Sequence, residues 1–296
     1  MAQLKSPSRT ISALVSDVDG TLVTDDKILT KRAAAAVAEL HARGILFTIV
    51  SSRPPRGLRM LLKPLNITAP IGGFNGAVIA APDLSAITEH LLRPEVARQT
   101  IAMLGAQGVQ CWVFAGKDWL VRHSDGPHVE HETHTIGFSP TIVEDFAPFL
   151  GIAAKIVGVS KDYDLLARCE REVSAALSGQ ATVARSQPYY LDITHPLANK
   201  GAAFSEIAKL LAVPQAEIAV IGDGANDVAM FERSGLSIAM GNASPDVQRS
   251  ADFVTDSNRD DGFAHAVERY ILRGDRSDAQ VAKAAGSATS RPSGSA

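Results

Sequence analysis

The stretch Asp17-Val18-Asp19-Gly20-Thr21-Leu22, set after the apolar run 11–15 and Ser16, constrains this chain more than any other feature. An apolar run closed by acidic residues and a glycine reads as a buried strand ending in a turn. Along a strand side chains alternate between faces, but at its end the chain turns. Asp17 and Asp19 can then converge on one crevice, with Gly20 allowing the turn. Like charges held close are costly unless a cation lies between them, and Mg²⁺ takes carboxylate oxygens. A carboxylate is also a covalent nucleophile toward phosphorus. Alone, the same residues would serve as an Asp-Gly turn closing a strand. The rest of the chain decides against that reading.

A chain of 296 residues, 46% hydrophobic and 21% charged, is an ordinary soluble composition with room for two domains. The formal net charge of −3 supplies no basic field for a nucleic-acid partner. Cys111 and Cys169 are the only cysteines, too few for a disulfide scaffold and without metal-ligand spacing. No segment has the length of a membrane span or the make-up of a secretory signal. The expectation is a soluble, cytoplasmic protein with no membrane partner, and nothing specifies an oligomeric state.

Strand and helix patterns alternate along much of the chain. Thr30 is placed to cap a helix over 31–43, which Gly44 ends. The continuous apolar run 45–50 predicts a strand covered on both faces, stopping at Ser51-Ser52-Arg53-Pro54, where Pro54 can open the next helix. A third strand is expected around Ile71, before Phe74-Asn75-Gly76-Ala77. Near the other end, 217–221 leads into Gly222-Asp223-Gly224-Ala225-Asn226-Asp227, with two short strands at 236–240 and 252–255. This order predicts an α/β fold, a parallel Rossmann-like sheet with helices on both faces. In such sheets ligands bind beyond the carboxyl ends of strands, where Asp17, Ser51 and Asp223 each stand. Between them the pattern differs: a hairpin over 111–122, strands at 156–159 and 189–194, and an amphipathic helix over 164–177. We therefore expect a core of 1–82 and 191–272, interrupted by an α+β insert over 83–190. The tail 273–296 lacks large apolar residues and reads as disordered.

Four pieces in chain order each have a use for a phosphate ester. Asp17 attacks phosphorus to give an aspartyl-phosphate. Asp19 protonates the leaving alcohol, then takes a proton from the hydrolytic water. Ser51 and Lys200 donate hydrogen bonds to phosphoryl oxygens, and Lys200 neutralises charge. Asp223, with Asp17, holds Mg²⁺, which orients the phosphate.

Together the pieces resemble the haloacid dehalogenase (HAD) superfamily of phosphatases, and within it the Cof-like branch. The motifs are Asp17-Val18-Asp19-Gly20-Thr21-Leu22, Ser51-Ser52-Arg53-Pro54, Asn199-Lys200-Gly201 and Gly222-Asp223-Gly224-Ala225-Asn226-Asp227, over about residues 11 to 272. Phe74-Asn75-Gly76-Ala77 resembles the Asn-Gly-Ala signature that precedes the cap in that branch, and the insert's place points to its large α+β cap. The resemblance implies that the carbonyl of Asp19 completes the metal shell and that Asp227 supports it from behind or through water. It also implies that Asn226 positions Lys200 or the phosphate. One motif departs from the branch, whose second motif reads Thr-Gly-Arg: Ser51 keeps the hydroxyl, and Ser52 for Gly is tolerable only without positive φ or close backbone approach.

Other residues carry two readings each. His128, His131 and His134 would share a helix face, as metal ligands or as a solvated face, the second being preferred. Trp112 and Trp119 fit packing across the hairpin better than stacking on a substrate. Asn75 fits a substrate contact or a turn, Arg53 a structural or phosphate-proximal place, and Asp25 with Asp26 a solvated loop. The favoured function is an Mg²⁺-dependent phosphohydrolase of a small phosphorylated metabolite, foremost a sugar phosphate. A pyridoxal-phosphate phosphatase or a phosphomutase shares the nucleophile. A phospho-accepting regulatory module fits worse, since Asp19 would hasten dephosphorylation. Specificity is expected from the cap.

Overall fold

A computed structural model describes residues 10–274 of the chain, which forms two compact units. One comprises the chain up to Ile49 and again from Phe204; the other runs from Val50 to Ala203.

The first unit is built on a five-stranded parallel sheet, ordered Phe253–Val254, Leu236–Ala239, Ile218–Gly222, Ala13–Ser16 and Leu46–Ile49. Every residue of Ala13–Ser16 and Ile218–Gly222 is buried, as continuous apolar runs require of strands covered on both faces. The helix Lys31–Ala42 connects the first two strands. Thr30 caps it, its hydroxyl accepting from the Ala33 amide at 3.0 Å, and Gly44 at φ +72° takes the left-handed turn that ends it. Ala33, Ala36, Val37 and Leu40 form its buried stripe. The terminal helical segment Gly262–Ala266 packs against it, and Phe263 meets Phe47 edge-on at 6.0 Å. The expected α/β class is present.

The second unit holds a six-stranded mixed sheet ordered Thr182–Gln187, Tyr190–Thr194, Ala153–Val159, Gln110–Ala115, Asp118–Val121 and Thr141–Ile142. The predicted hairpin is there, turning at Gly116, with Trp112 and Trp119 packed edge-on at 5.0 Å. Helices Pro94–Ala106 and Tyr163–Ala176 bury one face over Leu104, Val113, Ile156, Leu166, Leu191 and Ile193. The alternate residues point the other way: Trp112, Phe114, Trp119, Lys155 and Asp192.

Two expectations differ from what is found. The run around Ile71 does not extend the parallel sheet. Ile71–Gly73 pairs antiparallel with Val78–Ala80, which pairs with Ala86–Glu89, leaving one parallel bridge between Val50 and Gly72. The cause is local: Phe74, Asn75 and Gly76 all have positive φ (52°, 57° and 97°), reversing the chain so that the next strand returns beside the last. A bulky residue such as Phe74 in that region is strained. Its ring is buried against Phe114 at 5.3 Å. Second, Tyr190–Thr194, whose greater part was expected in the core, is hydrogen-bonded on both sides within the six-stranded sheet. The units divide at Ile49/Val50 and Ala203/Phe204, whereas the sequence places the boundaries at 82/83 and 190/191. Beyond Gly274 the expected disordered tail lies outside the described residues.

Lys155 and Asp192 form a buried ion pair at 2.6 Å on the aromatic face, with Asp192 Oδ1 lacking a hydrogen-bond partner. Removing one partner of a buried pair strands the other charge, at a cost of about 3–5 kcal/mol. Lys155→Met is expected to destabilise by about that amount in urea unfolding, and Lys155→Met/Asp192→Leu to recover most of it. Equal midpoints for the single variant and wild type would show the pair to be inert.

Candidate active site

Strand register builds the acidic part of the site. Ser16 lies opposite Ile221, and the Asp17 amide donates to the Ile221 carbonyl at 2.9 Å. Parallel neighbours are about 4.8 Å apart, so the residues after the two strand ends leave the sheet side by side. Carboxylate oxygens of Asp17, Asp223 and Asp227 accordingly lie within 4.8 Å of one another. Asp17 and Asp227 are buried and Asp223 is half-buried. Asp227 belongs to the short 3₁₀ turn Ala225–Asp227, and its Oδ2 accepts from the amides of Asp223 (3.0 Å) and Gly224 (2.9 Å). That approach requires Gly222, where a Cβ would fall 2.4 Å from the Asp227 carboxyl carbon. Thr21 Oγ1 donates to Asp223 Oδ1 at 3.1 Å. Three carboxylates are hard oxygen donors only, a set that fits Mg²⁺ or a similar divalent cation.

Asp19 is outside that trio. The Asp19 carboxylate pairs with Lys27 Nζ at 2.8 Å, both half-buried, and Asn226 is exposed on the 3₁₀ turn. Asp25 is more than a solvated loop residue. It accepts from Asn258 Nδ2 at 3.0 Å and Arg259 Nε at 2.6 Å, and these bonds hold its carboxyl below its ordinary range.

The second unit carries the remaining candidates. Ser51 is buried; its amide donates to the Gly72 carbonyl at 2.9 Å and its Oγ accepts from the Arg53 amide at 3.1 Å. The Asn75 amide donates to the Ser51 carbonyl at 2.8 Å, and that of Phe74 to Arg53 at 2.9 Å, so loops 51–53 and 74–75 are clasped together. Asn75 does form a turn, at positive φ. Gly76 then packs on the start of helix Lys200–Leu210: a Cβ there would lie 2.5 Å from Ala203 Cβ and 3.1 Å from the Asn199 carbonyl. Lys200, the helix's first residue, is only 1% exposed. Ser52 has no positive φ, which meets the first condition for Ser where the branch pattern has Gly.

His128 is the N-cap of helix Val129–Ile136 and stacks on Tyr189 at 4.1 Å; His131 meets the same ring edge-on. Burial, then His131 and Lys161, lower the His128 pKa. Among the described residues these histidines do not gather as a ligand set. The sequence reading missed Lys27 beside Asp19 and Asn242, which donates to Asp223 Oδ2 at 3.3 Å. Asn242 follows a parallel strand, Leu236–Ala239, and the rule that placed Asp17 and Asp223 at strand ends would have drawn notice to it.

A parallel α/β sheet with carboxylates gathered at its edge, interrupted by a mixed-sheet insert, defines the class that the motifs resembled. Residues 14–267 match the model of the haloacid dehalogenase-like hydrolases, and the chain belongs to that family. It is similar to a haloacid dehalogenase-like hydrolase from Bacteroides thetaiotaomicron of known crystal structure. The TM-score is 0.82 at 28% identity, covering 88% of this chain and 99% of that one. A 5-amino-6-(5-phospho-D-ribitylamino)uracil phosphatase of Bacillus subtilis (strain 168) is 27% identical over 266 residues, 86% of this chain and 96% of that protein. An HMP-PP phosphatase of Cronobacter sakazakii is 27% identical over 229 residues, 77% of this chain and 84% of that protein. The chain is an enzyme of the HAD phosphatase type. No helix among the described residues is long and apolar enough to cross a membrane.

Gly20 holds φ +76°, and a Cβ there would lie 2.2 Å from Asp223 Oδ2. Gly20→Ala is therefore expected to displace the Asp223 carboxylate and weaken Mg²⁺ binding, measured by calorimetry, while the variant remains folded by circular dichroism. Unchanged Mg²⁺ affinity would separate Gly20 from the carboxylate site.

Proposed function

We propose that this chain is an Mg²⁺-dependent phosphatase that hydrolyses a small phosphorylated metabolite, foremost a sugar phosphate, through an aspartyl-phosphate on Asp17. The observation that carries this reading is the buried Asp17 carboxylate, set at a strand end within 4.8 Å of Asp223 and Asp227. The relative named as a ribitylaminouracil phosphatase supports the substrate class. Free Cys111 and Cys169 support a cytoplasmic setting, with burial pushing the Cys111 thiol up to about 12.

Asp17 attacks phosphorus; its O–P bond forms as the bond to the leaving oxygen breaks, and Asp19 gives its proton to that oxygen. Asp19 then takes a proton from a water that attacks the same phosphorus, breaking the Asp17 O–P bond and releasing orthophosphate. Ser51 and Lys200 bind phosphoryl oxygens, while Asn226, Asn75 and Arg53 support the phosphate and its surroundings. Asp17, Asp223 and the Asp19 carbonyl hold the cation, backed by Asp227. The cation supplies charge neutralisation and orientation of the phosphate. The insert reads the alcohol.

Orthophosphate release from a panel of phosphorylated metabolites, with Mg²⁺ and with chelator, tests the whole reading; release indifferent to chelator removes the metal. Asp17→Asn is expected to abolish turnover and to lose the beryllofluoride adduct that wild type forms. Substantial hydrolysis by that variant would sink the covalent route. Asp19→Ala is expected to lose about 10²–10⁴-fold on alkyl phosphates and much less on aryl phosphates with acidic leaving groups. Equal losses on both would take Asp19 out of proton transfer.

A further inference from the structure

We propose that Asn242 is a positioning residue of the cation site, holding the Asp223 carboxylate and the Gly20 carbonyl in one fixed arrangement; this rests on reading Asp223 as a metal ligand. Asn242 lies in the turn after strand Leu236–Ala239, outside the motifs that carry the resemblance. A side-chain amide offers two N–H donors and a carbonyl acceptor. Here Nδ2 donates to the Gly20 carbonyl at 2.9 Å and to Asp223 Oδ2 at 3.3 Å, while Oδ1 accepts from the Asn258 amide at 3.0 Å.

The side chain is exposed, yet its backbone is tied down on every side. Gln248 Nε2 donates to the carbonyls of Gly241 and Ala243, both at 3.0 Å. The Gly241 amide donates to Asp256 and that of Met240 to Gly222, again at 3.0 Å. Behind Asn242, Asn258 Nδ2 donates to the Val23 carbonyl at 3.2 Å and to Asp25 Oδ1 at 3.0 Å. Two amides thus join the loops after three strands: 20–25, 240–243 and 256–259.

The consequence falls on Asp223. Thr21 Oγ1 donates to one of its oxygens and Asn242 Nδ2 to the other, so the carboxylate cannot rotate without losing a bond. A carboxylate has about four lone-pair sites, so these two bonds do not by themselves exhaust what it can offer a cation. The residue type follows from the task. A hydroxyl has one donor and could not serve Gly20 and Asp223 together. An aspartate has none, and a lysine would compete with the cation it is meant to help. Hydrogen bonds that orient metal-binding carboxylates in this way are typically worth about 10–100-fold in metal affinity.

Mg²⁺ alone is titrated by calorimetry into chelator-stripped wild type and Asn242→Ala, with thermal melting of both metal-free proteins alongside. The dissociation constant for Mg²⁺ is expected to rise by about 10–100-fold in the variant, with the metal-free melting temperature that of wild type. Turnover should require correspondingly more Mg²⁺, while KM for an aryl phosphate at saturating Mg²⁺ stays put. Equal dissociation constants in the two proteins overturn the proposal and leave Asp223 as a ligand. A lowered metal-free melting temperature with Mg²⁺ affinity intact assigns Asn242 a merely structural role and overturns it too. Failure of wild type itself to bind Mg²⁺ overturns the underlying reading along with the proposal. If Asn242→Ala does not fold, Asn242→Leu, closer in volume, is titrated with the same outcomes.

Discussion

Everything at this site depends on the parallel pairing of Ala13–Ser16 with Ile218–Gly222, which joins chain positions about two hundred residues apart. The pairing is anchored at both ends. The Ser12 amide and hydroxyl bond Glu217 at 2.8 Å and 2.6 Å at the start, and the Asp17 amide bonds Ile221 at 2.9 Å at the finish. Register matters more here than burial. Both strands are covered on both faces, so a slip would keep them apolar but move Asp17 along the edge by about 3.3 Å per residue. The carboxylates would then no longer share a cation. Their mutual repulsion opposes the correct register until a cation is present, so the apolar packing of Leu14, Val15, Val220 and Ile221, all fully buried, must hold it.

A long interruption between paired strands is affordable because loop-closure entropy rises only with the logarithm of length, about 0.6 kcal/mol per doubling. The interposed unit brings its own core, the cluster around Leu104, Val113, Ile156 and Leu191. That cluster is built from residues of this unit alone. Its other face is chemically unlike the first, carrying packed aromatic rings and the Lys155–Asp192 pair together.

What could be read in the sequence is what local chemistry determines. Thr30 and Gly44 bracket a helix because a hydroxyl before the first turn and a residue free to take positive φ after the last have few other uses. Asp17 and Asp223 were legible because acidic residues directly after apolar runs have nowhere else to go in a parallel sheet. The partners of those residues were not. An apolar run such as 71–73 carries no mark of whether its neighbour is parallel or antiparallel. The answer lay in the left-handed turn at Phe74 and Asn75, and nothing in a phenylalanine announces positive φ. The same holds for Tyr190–Thr194, whose strand character was plain but whose sheet was set by Ala153–Val159, its partners lying 31 to 39 residues upstream. Asn242 shows the third kind of gap, an ordinary residue in an ordinary turn whose role exists only through three contacts distant in sequence.

Several of the donors that hold Asp223 and Asp227 at the acidic edge are neutral. They include the Thr21 hydroxyl, the Asn242 amide and the backbone amides of Asp223 and Gly224. Neutral donors fix carboxylates in place without cancelling their charge, whereas a lysine or arginine at the same distance would fix and neutralise them together. At Asp19, the carboxylate assigned to proton transfer, the donor is instead a cation, Lys27. These neutral bonds orient Asp223 and Asp227 in advance without themselves reducing the attraction of the cluster for a divalent cation, which an oxygen-only site needs to bind a strongly hydrated ion.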